Sequence, residues 1–593
     1  MHAAPLAIIA ASVFSEDEEF YLSRSLPTIE YTLSRSGYRW ATDLVPDGYN
    51  KTLETLRLNP FNSQFNTSYY EGLHRLLGGL NPWLSSIALP GDTLRRTKGY
   101  STQVLSWVQA ISAYNLTGDE KWKRLATSTA DRYIDLQIYK NSSQPVGLMA
   151  FYNTNVYAPW WDLIDLYELT KDGKYLKAAQ YGASNTIAGI RSFPAVTENL
   201  QTIHPGNRFD GNTNLWWKGK EKYRLGFPRV ANDAKEKQVP EWLVSPVGLG
   251  FEQPSTYFLR TKGKQVRPVF MSNWAPHLLR LYQYTHKPIY ETYARNGVIG
   301  RFTNYPGYYA TGYTDITLSP DFPYKGPDVS SIYYHHIPPH LAFTWDYLVS
   351  EAIERSNGNI YFPFCKQEGF VWFTNRIYGN EKGKIFGDSK AKLWTKRGLV
   401  QVDNPTINYL TAVSDKYFWV ILSGESEQEE SLTIRLDEAA GLVGQGDIVQ
   451  YTEKGKTMKI NRTGNAVKVS VPGKGFRALA FPLAEPRKEN RYPVLKNGMK
   501  VVDMGEPFGK VFLFRIRSPF GWDSVYGFAE TAPARDKEMS VSVECNGKSC
   551  RVASYPFEWS FYKLGMDEKA VVKVTVSSKG QTDKTKEIIL NSK

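Results

Sequence analysis

A short turn that recurs along the first half of the chain constrains the fold more than any other feature. It appears as Tyr114-Asn-Leu-Thr117-Gly-Asp-Glu-Lys-Trp122, Tyr167-Glu-Leu-Thr170-Lys-Asp-Gly-Lys-Tyr175 and Tyr282-Gln-Tyr-Thr285-His-Lys-Pro-Ile-Tyr290. In each, one aromatic stands three residues before the Thr and another five after it. A partial copy lies at Ser15-Glu-Asp-Glu-Glu-Phe20. Both flanks carry helical periodicity, as in Val104, Trp107, Val108 and Ile111. The pattern predicts a helix that ends, a Thr or Ser that caps the next helix, acidic residues in its first turn, and an aromatic that locks the pair. The unit is a helical hairpin. Its copies are spaced near multiples of roughly 50 to 57 residues, which leaves room for hairpins whose turns have diverged. An α-solenoid is the structural alternative, usually with shorter periods and more uniform loops.

Three further segments look like helix starts: Ala158-Pro159-Trp160-Trp161-Asp162, Ala275-Pro276-His277 and Pro338-Pro339-His340. Each has Pro where the missing N–H costs nothing. As first helices of hairpins they should gather at one rim, below long loops rich in Tyr, Asn and Gly. The opening Ala3–Phe14 stretch is apolar without a charged leader, and 16–35 reads as helix. The stretch is not expected to be an intact signal peptide; the chain is expected to start inside a larger protein, or after a trimmed leader.

From about residue 358 the period changes to two, with strands at Tyr417–Leu422, Leu432–Leu436 and Val467–Val471. A polar stretch from Glu485 to Pro493 separates these from strands at Val511–Ile516, Met539–Val543 and Val571–Val576. The expected architecture is multidomain, α then β. Residues 1–358 form an (α/α) helical-hairpin toroid, the probable catalytic domain, 359–487 an antiparallel β-sandwich and 488–593 an immunoglobulin-like β-sandwich. Cys545 and Cys550 flank a hairpin-like turn, either as a small disulfide or as two thiols, and Cys365 is expected to pack as a small hydrophobe. No run has the apolar length of a membrane span.

The net charge of +13 suits an acidic partner, but the chain has no basic arm, finger spacing or long Lys/Arg block, which argues against nucleic acid. Aromatic residues are 14% of the chain, a composition that suits sugar stacking and equally suits a large core. No Cys/His spacing resembles a metal site, and no cofactor is expected. The Thr117–Trp122 turn and the passage Val469-Ser-Val-Pro-Gly-Lys-Gly-Phe-Arg-Ala-Leu-Ala-Phe481 resemble the six-hairpin glycosidase superfamily. That resemblance covers about residues 1–485 at the level of architecture. It implies a polysaccharide or oligosaccharide substrate and a secreted, periplasmic or cell-surface location, and carries over no catalytic residue.

Glycosidic hydrolysis needs two carboxyl groups across the bond. Glu252, in a loop before a later hairpin, is one candidate, with Asp315 or Asp321 as partner. Asp162 follows Trp160-Trp161, where apolar neighbours would raise its pKa, although a first-turn Asp facing the helix dipole is the commoner case. Tyr333-Tyr334-His335-His336-Ile-Pro-Pro-His340 is the densest titratable cluster and is expected to precede the helix that closes the helical region. In a glycoside hydrolase acting on a complex polysaccharide, acidic sugars included, this segment would orient the sugar. In a polysaccharide lyase, Tyr334, His335 and His336 would serve as base and acid, with Arg95 or Arg96 and Asn273 neutralising a uronate. Trp160, Trp161, Asp162, Asn273, Trp274, Tyr309, Tyr313, His340 and Arg96 are the expected sugar contacts. A non-catalytic glycan-binding protein would keep the aromatics and lack the titrating pair.

Overall fold

The computed structural model describes residues 5–35, 67–89, 107–140, 160–189, 200–203, 205–207, 236–240, 274–308, 331–367, 375–404, 406–530, 538–554 and 557–592. Helices occupy the N-terminal half and antiparallel strands the C-terminal half. The helices used below are α1 (Pro5–Ser15), α2 (Leu26–Arg35), α3 (Thr67–Leu76), α4 (Trp107–Thr117), α5 (Glu120–Tyr133), α6 (Asp162–Thr170), α7 (Gly173–Gly189), α8 (Ala275–Thr285), α9 (Pro288–Tyr308) and α10 (Ser331–Arg355). No helix among the described residues is long and apolar enough to cross a membrane.

Each recurrent turn joins two helices that pack on each other: α4 with α5, α6 with α7, α8 with α9. The Thr does not cap the following helix, as its position suggested. Thr117, Thr170 and Thr285 hydroxyls donate back to the carbonyls of Ala113, Leu166 and Leu281 in their own helices. The next residue is left-handed at Gly118, Lys171 and His286, and its N–H returns to the carbonyl of the Tyr that opens the motif. The cap falls to the Asp that follows: Asp119 and Asp172 accept the N–H groups of Lys121 and Lys174. The partial copy behaves alike, with Ser15 bonded back to Ala11, Glu16 left-handed and Asp17 accepting from Phe20.

The first helices of the hairpins also meet one another. α1 packs on α3 and α10, α3 on α4, and α8 on α10, while α7 touches α8. Pro276 occupies the first turn of α8, as expected. Pro338 and Pro339 do not start a helix: α10 begins at Ser331 and carries both inside it, so Tyr334, His335, His336 and His340 are helical residues rather than a preceding loop. The apolar opening of the chain is α1, a buried helix whose Leu6, Ile9, Val13 and Phe14 enter the largest core.

Apart from one short antiparallel pair, Leu200–Ile203 with Lys237–Pro240, the described strands begin at Ile360, directly after a left-handed Asn357 and Gly358 end α10. An eight-stranded sheet runs from 457–460 at one edge to 360–361 at the other and faces a three-stranded sheet (400–402, 430–436, 466–471). Period two divides the residues of its central strand. Phe418, Val420 and Leu422 face the three-stranded sheet, while Trp419 and Ile421 join the core built with α1, α3 and α10. The C-terminal strands form two four-stranded sheets, and the same alternation puts Val511 and Leu513 between them and Phe512 and Phe514 against the helices. The stretch 485–498 is docked rather than free, with Leu495 buried and its N–H on Leu80. Cys545 and Cys550 are both free thiols in the hairpin turned at left-handed Asn546-Gly547. Cys550 faces Val543 across the ladder, not Cys545, so the disulfide alternative does not arise.

One small hairpin stands apart. Phe364–Gln367 pairs with Asn375–Tyr378, and it lies among the helices instead of joining a larger sheet. Gln367 accepts the N–H of Leu6, near the start of α1. Arg75, near the end of α3, donates to the Phe364 carbonyl. The strand thus runs lengthwise between the first helices, from their ends toward their starts.

Candidate active site

Beside this hairpin lies a cavity of about 470 Å³. Its walls come from α3, α4, α6, α8, α10 and residues 358–378. Four carboxyl groups line it: Glu71 on α3, and Asp162, Asp165 and Glu168 on α6. The last three are spaced by three residues and so share one helix face.

The hairpin supplies their counter-charges. Arg376 donates from Nε to Asp165 at 3.1 Å and from a terminal nitrogen to Glu168 at 2.6 Å, and its guanidinium lies 3.8 Å over the Phe364 ring. Tyr284 on α8 donates to the other Glu168 oxygen at 2.8 Å. Lys366 is ion-paired with Asp162. Behind this wall Arg280 grips both oxygens of Asp346 at 2.7 and 2.6 Å. Ser350, Asn375, Tyr378 and the Arg376 N–H also donate to Asp346. Burial is the largest single influence and works against the Asp346 charge, yet the surrounding positive groups and donors, Arg280 foremost, together outweigh it and hold the carboxyl below the usual carboxylate range. Asp346 therefore fixes the hairpin, and the hairpin fixes the α6 carboxylates.

Glu71 is placed differently. It is 2% exposed, with Arg75 Nε at 2.9 Å and the Asn115 amide at 3.3 Å. Burial pushes its pKa up to about 7, against the pull of Arg75, Asn115 and Ser112. A carboxyl of this kind is half protonated near neutrality, the state a general acid needs. Burial likewise pushes Asp165 up, against Arg376. Cys365 also lines the cavity, but burial pushes its thiol up, so it is a packed hydrophobe and a poor nucleophile, as its sequence context suggested.

The expected site residues divide into three groups. Glu252, Asp315, Asp321, Arg95, Arg96, Asn273, Tyr309 and Tyr313 lie outside the described residues. Tyr334, His335, His336 and His340 lie within the first half of α10. Trp160, Trp161, Asp162 and Trp274 are described, and of these only Asp162 lines the cavity. Trp160 is fully buried and its indole donates to Thr186, and Trp274 is equally enclosed, so both serve as core rather than as open stacking faces. Trp161 lies stacked on His277 with ring centroids 5.6 Å apart. His277 Nδ1 in turn lies 2.7 Å from Arg280. Because a guanidinium only donates, Nδ1 accepts and the imidazole proton sits on Nε2.

Glu71, Asp165, Glu168, Arg280, Lys366 and Arg376 were not anticipated. A signal existed for part of this set: Asp162, Asp165 and Glu168 recur every third residue on a helix that is otherwise apolar. Nothing local to the hairpin sequence marks Lys366 and Arg376 as their partners.

No family model matches the chain, and no curated protein matches it. Among solved structures, one titled "Glycoside hydrolase" is similar at a TM-score of 0.30 and 12% identity, over 99% of this chain and 87% of that one. A β-arabinofuranosidase titled GH127 is similar at a TM-score of 0.21 and 9% identity, over 99% of this chain and 88% of that one. TM-scores this low carry no argument about the chemistry of this chain.

Proposed function

We propose that the chain is a glycoside hydrolase whose helical hairpins close as a toroid around the cavity. On this reading residues 1–358 are the catalytic domain, and 359–487 and 488–593 are β-sandwiches that brace it. The observation that carries the proposal is Glu71: a buried carboxyl, facing a cavity, with its pKa raised to about 7 while arginine-bound carboxylates line another wall. Hydrolysis of a glycosidic bond needs one carboxyl that keeps its proton near neutrality and a second carboxyl across the bond.

The roles follow from the partners. Glu71 gives its proton to the glycosidic oxygen as the bond to the anomeric carbon breaks. Glu168, held by Arg376 and Tyr284, is the second carboxyl, which draws a proton from water or attacks the anomeric carbon itself. Water ends as the new hemiacetal hydroxyl, and solvent exchange restores the Glu71 proton. A polysaccharide substrate would be met outside the cell, in keeping with a secreted, periplasmic or surface enzyme.

The test is incubation with neutral and acidic polysaccharides, reading reducing ends and ultraviolet absorbance together. Glu71→Gln is expected to lower the release of reducing ends by roughly a hundredfold or more. Glu252→Gln is the contrasting variant. Loss of activity there, with Glu71→Gln unaffected, would move the chemistry to Glu252, with Asp315, Tyr334, His335 and His336 as its companions. A rise in ultraviolet absorbance would replace hydrolysis by β-elimination.

A further inference from the structure

We propose that the cavity is a one-mouthed pocket for the neutral terminal residue of a glycan, so that the enzyme acts from chain ends. This inference rests on the hydrolase reading above and adds its substrate class and mode of attack.

The mouth is at the helix ends. Asn115, Lys171, Gly358 and Tyr361 are the exposed lining residues, and they lie in the last turn of α4 or just beyond the ends of α6 and α10. The opposite end of the described lining is Asp162 with Lys366, both nearly withdrawn from water and paired to each other. The hairpin strand measures depth between them. Tyr361 is half exposed at the mouth and Phe364 lies further in. Cys365 packs beside Gly72, one residue from Glu71, and Lys366 reaches the floor. Glu71 and Glu168 therefore lie between mouth and floor. A sugar seated on the floor would hold its glycosidic bond at their level, with the rest of the glycan leaving past Tyr361. A polymer threaded for internal cleavage would need a second opening where Asp162 and Lys366 stand.

Charge names the class of that terminal sugar. Below the mouth each described cation already faces a carboxylate: Lys366 on Asp162, Arg376 on Asp165 and Glu168, Arg75 on Glu381 as well as Glu71, Arg280 on Asp346. A uronate would bring a further negative charge with no described cation below the mouth left to receive it. A neutral sugar asks for donors and acceptors at its hydroxyls, and the Lys366–Asp162 floor offers one of each. The positive net charge of the whole chain therefore does not extend to the pocket.

The experiment uses the full chain and p-nitrophenyl glycosides of neutral pyranoses and furanoses, beside p-nitrophenyl glucuronide and galacturonide. Polysaccharides with chemically blocked ends form the third set. The expected result is release of p-nitrophenol from at least one neutral glycoside, exceeding any uronide by at least about a hundredfold. Single sugars should also accumulate from unblocked chains, and none from blocked ones. Tyr361→Ala, a change at a half-exposed ring, should raise KM for oligosaccharides several-fold with kcat little altered. Faster release from a uronide, or cleavage of blocked chains, would overturn the inference while leaving the hydrolase reading in place. Undiminished hydrolysis by Glu71→Gln would overturn both.

Discussion

In the C-terminal sheets Arg515 and Arg517 share the single carboxylate of Asp523, and all three side chains are shut off from water. Their remaining donors end on backbone carbonyls: those of Gly565, Glu568 and Leu590 for Arg515, and of Pro493, Met566 and Ser592 for Arg517. In the helical half Arg280 and Arg376 are also buried, but they meet Asp346, Asp165 and Glu168, and a cavity opens beside them. The first cluster ties down a loop, the linker and the last described residues, with its guanidinium donors spent on Asp523 and on backbone carbonyls. The second leaves acids facing an open volume. Buried charge alone does not mark a site. What distinguishes the second interior is carboxylates in excess of what packing requires, next to space.

The sharpest way to break this contrast is Asp523→Asn. It removes the counter-ion that two buried guanidinium groups share, the only one among the described residues, and a loss of about 3–5 kcal/mol is expected in urea unfolding. Activity per folded molecule should be unchanged. A loss below about 1 kcal/mol would mean that carbonyls alone suffice there. Asp346→Asn is the matching change in the helical half. It should cost about 3 kcal/mol and also depress kcat, because the hairpin that holds Arg376 against Glu168 loses its anchor. Stability lost with kcat retained would reduce the second cluster to a staple like the first.

Glu71→Gln separates the two interiors in another way. Burial raises the Glu71 pKa from 4.5 to about 7, so the folded state binds this proton more tightly than the unfolded chain. That contribution is fully present below pH ~4.5 and is lost as pH rises through 7. The glutamine should therefore match the parent at about pH 4 and exceed it by as much as about 3 kcal/mol at about pH 9, with activity lost throughout. Denaturant midpoints at the two pH values measure it. A side chain whose removal stabilises the fold and abolishes turnover is placed there for chemistry. A midpoint difference that does not change with pH would mean that Glu71 is ionised like any surface acid.

How far the chain could be read without coordinates follows the range of the interactions concerned. The change from helices to strands near residue 358, and the strands at Tyr417, Leu432, Val467, Val511, Met539 and Val571, rest on period and were legible. The start of α10 was not, because Pro338-Pro339 is a helix-start signal that here lies inside a longer helix. Trp160-Trp161 and Trp274 looked like stacking faces, since a sequence does not say which side of a ring is covered; Thr186 and the surrounding core cover them. The cavity was least legible. Arg376 and Glu168 are 208 residues apart, and no local pattern links a strand arginine to a helix carboxylate across that distance.

The smallest expected effect concerns the recurrent turn itself. Its Thr occupies the position from which a cap would be read, yet the Thr170 hydroxyl donates to Leu166 at 2.7 Å and only receives the Asp172 N–H at 3.2 Å. The N–H of Lys174, one of the unpaired donors at the start of α7, is taken by Asp172 at 3.0 Å. Asp172→Ala should then cost about 1 kcal/mol, the usual worth of an N-cap, and Thr170→Ala less. The order of the two denaturant midpoints decides the matter. If Thr170→Ala costs more, the left-handed turn at Lys171, which that hydroxyl closes, is what holds the hairpin, and the cap is secondary. The helical interior would then be framed by the ends of the first helices rather than by the starts of the second.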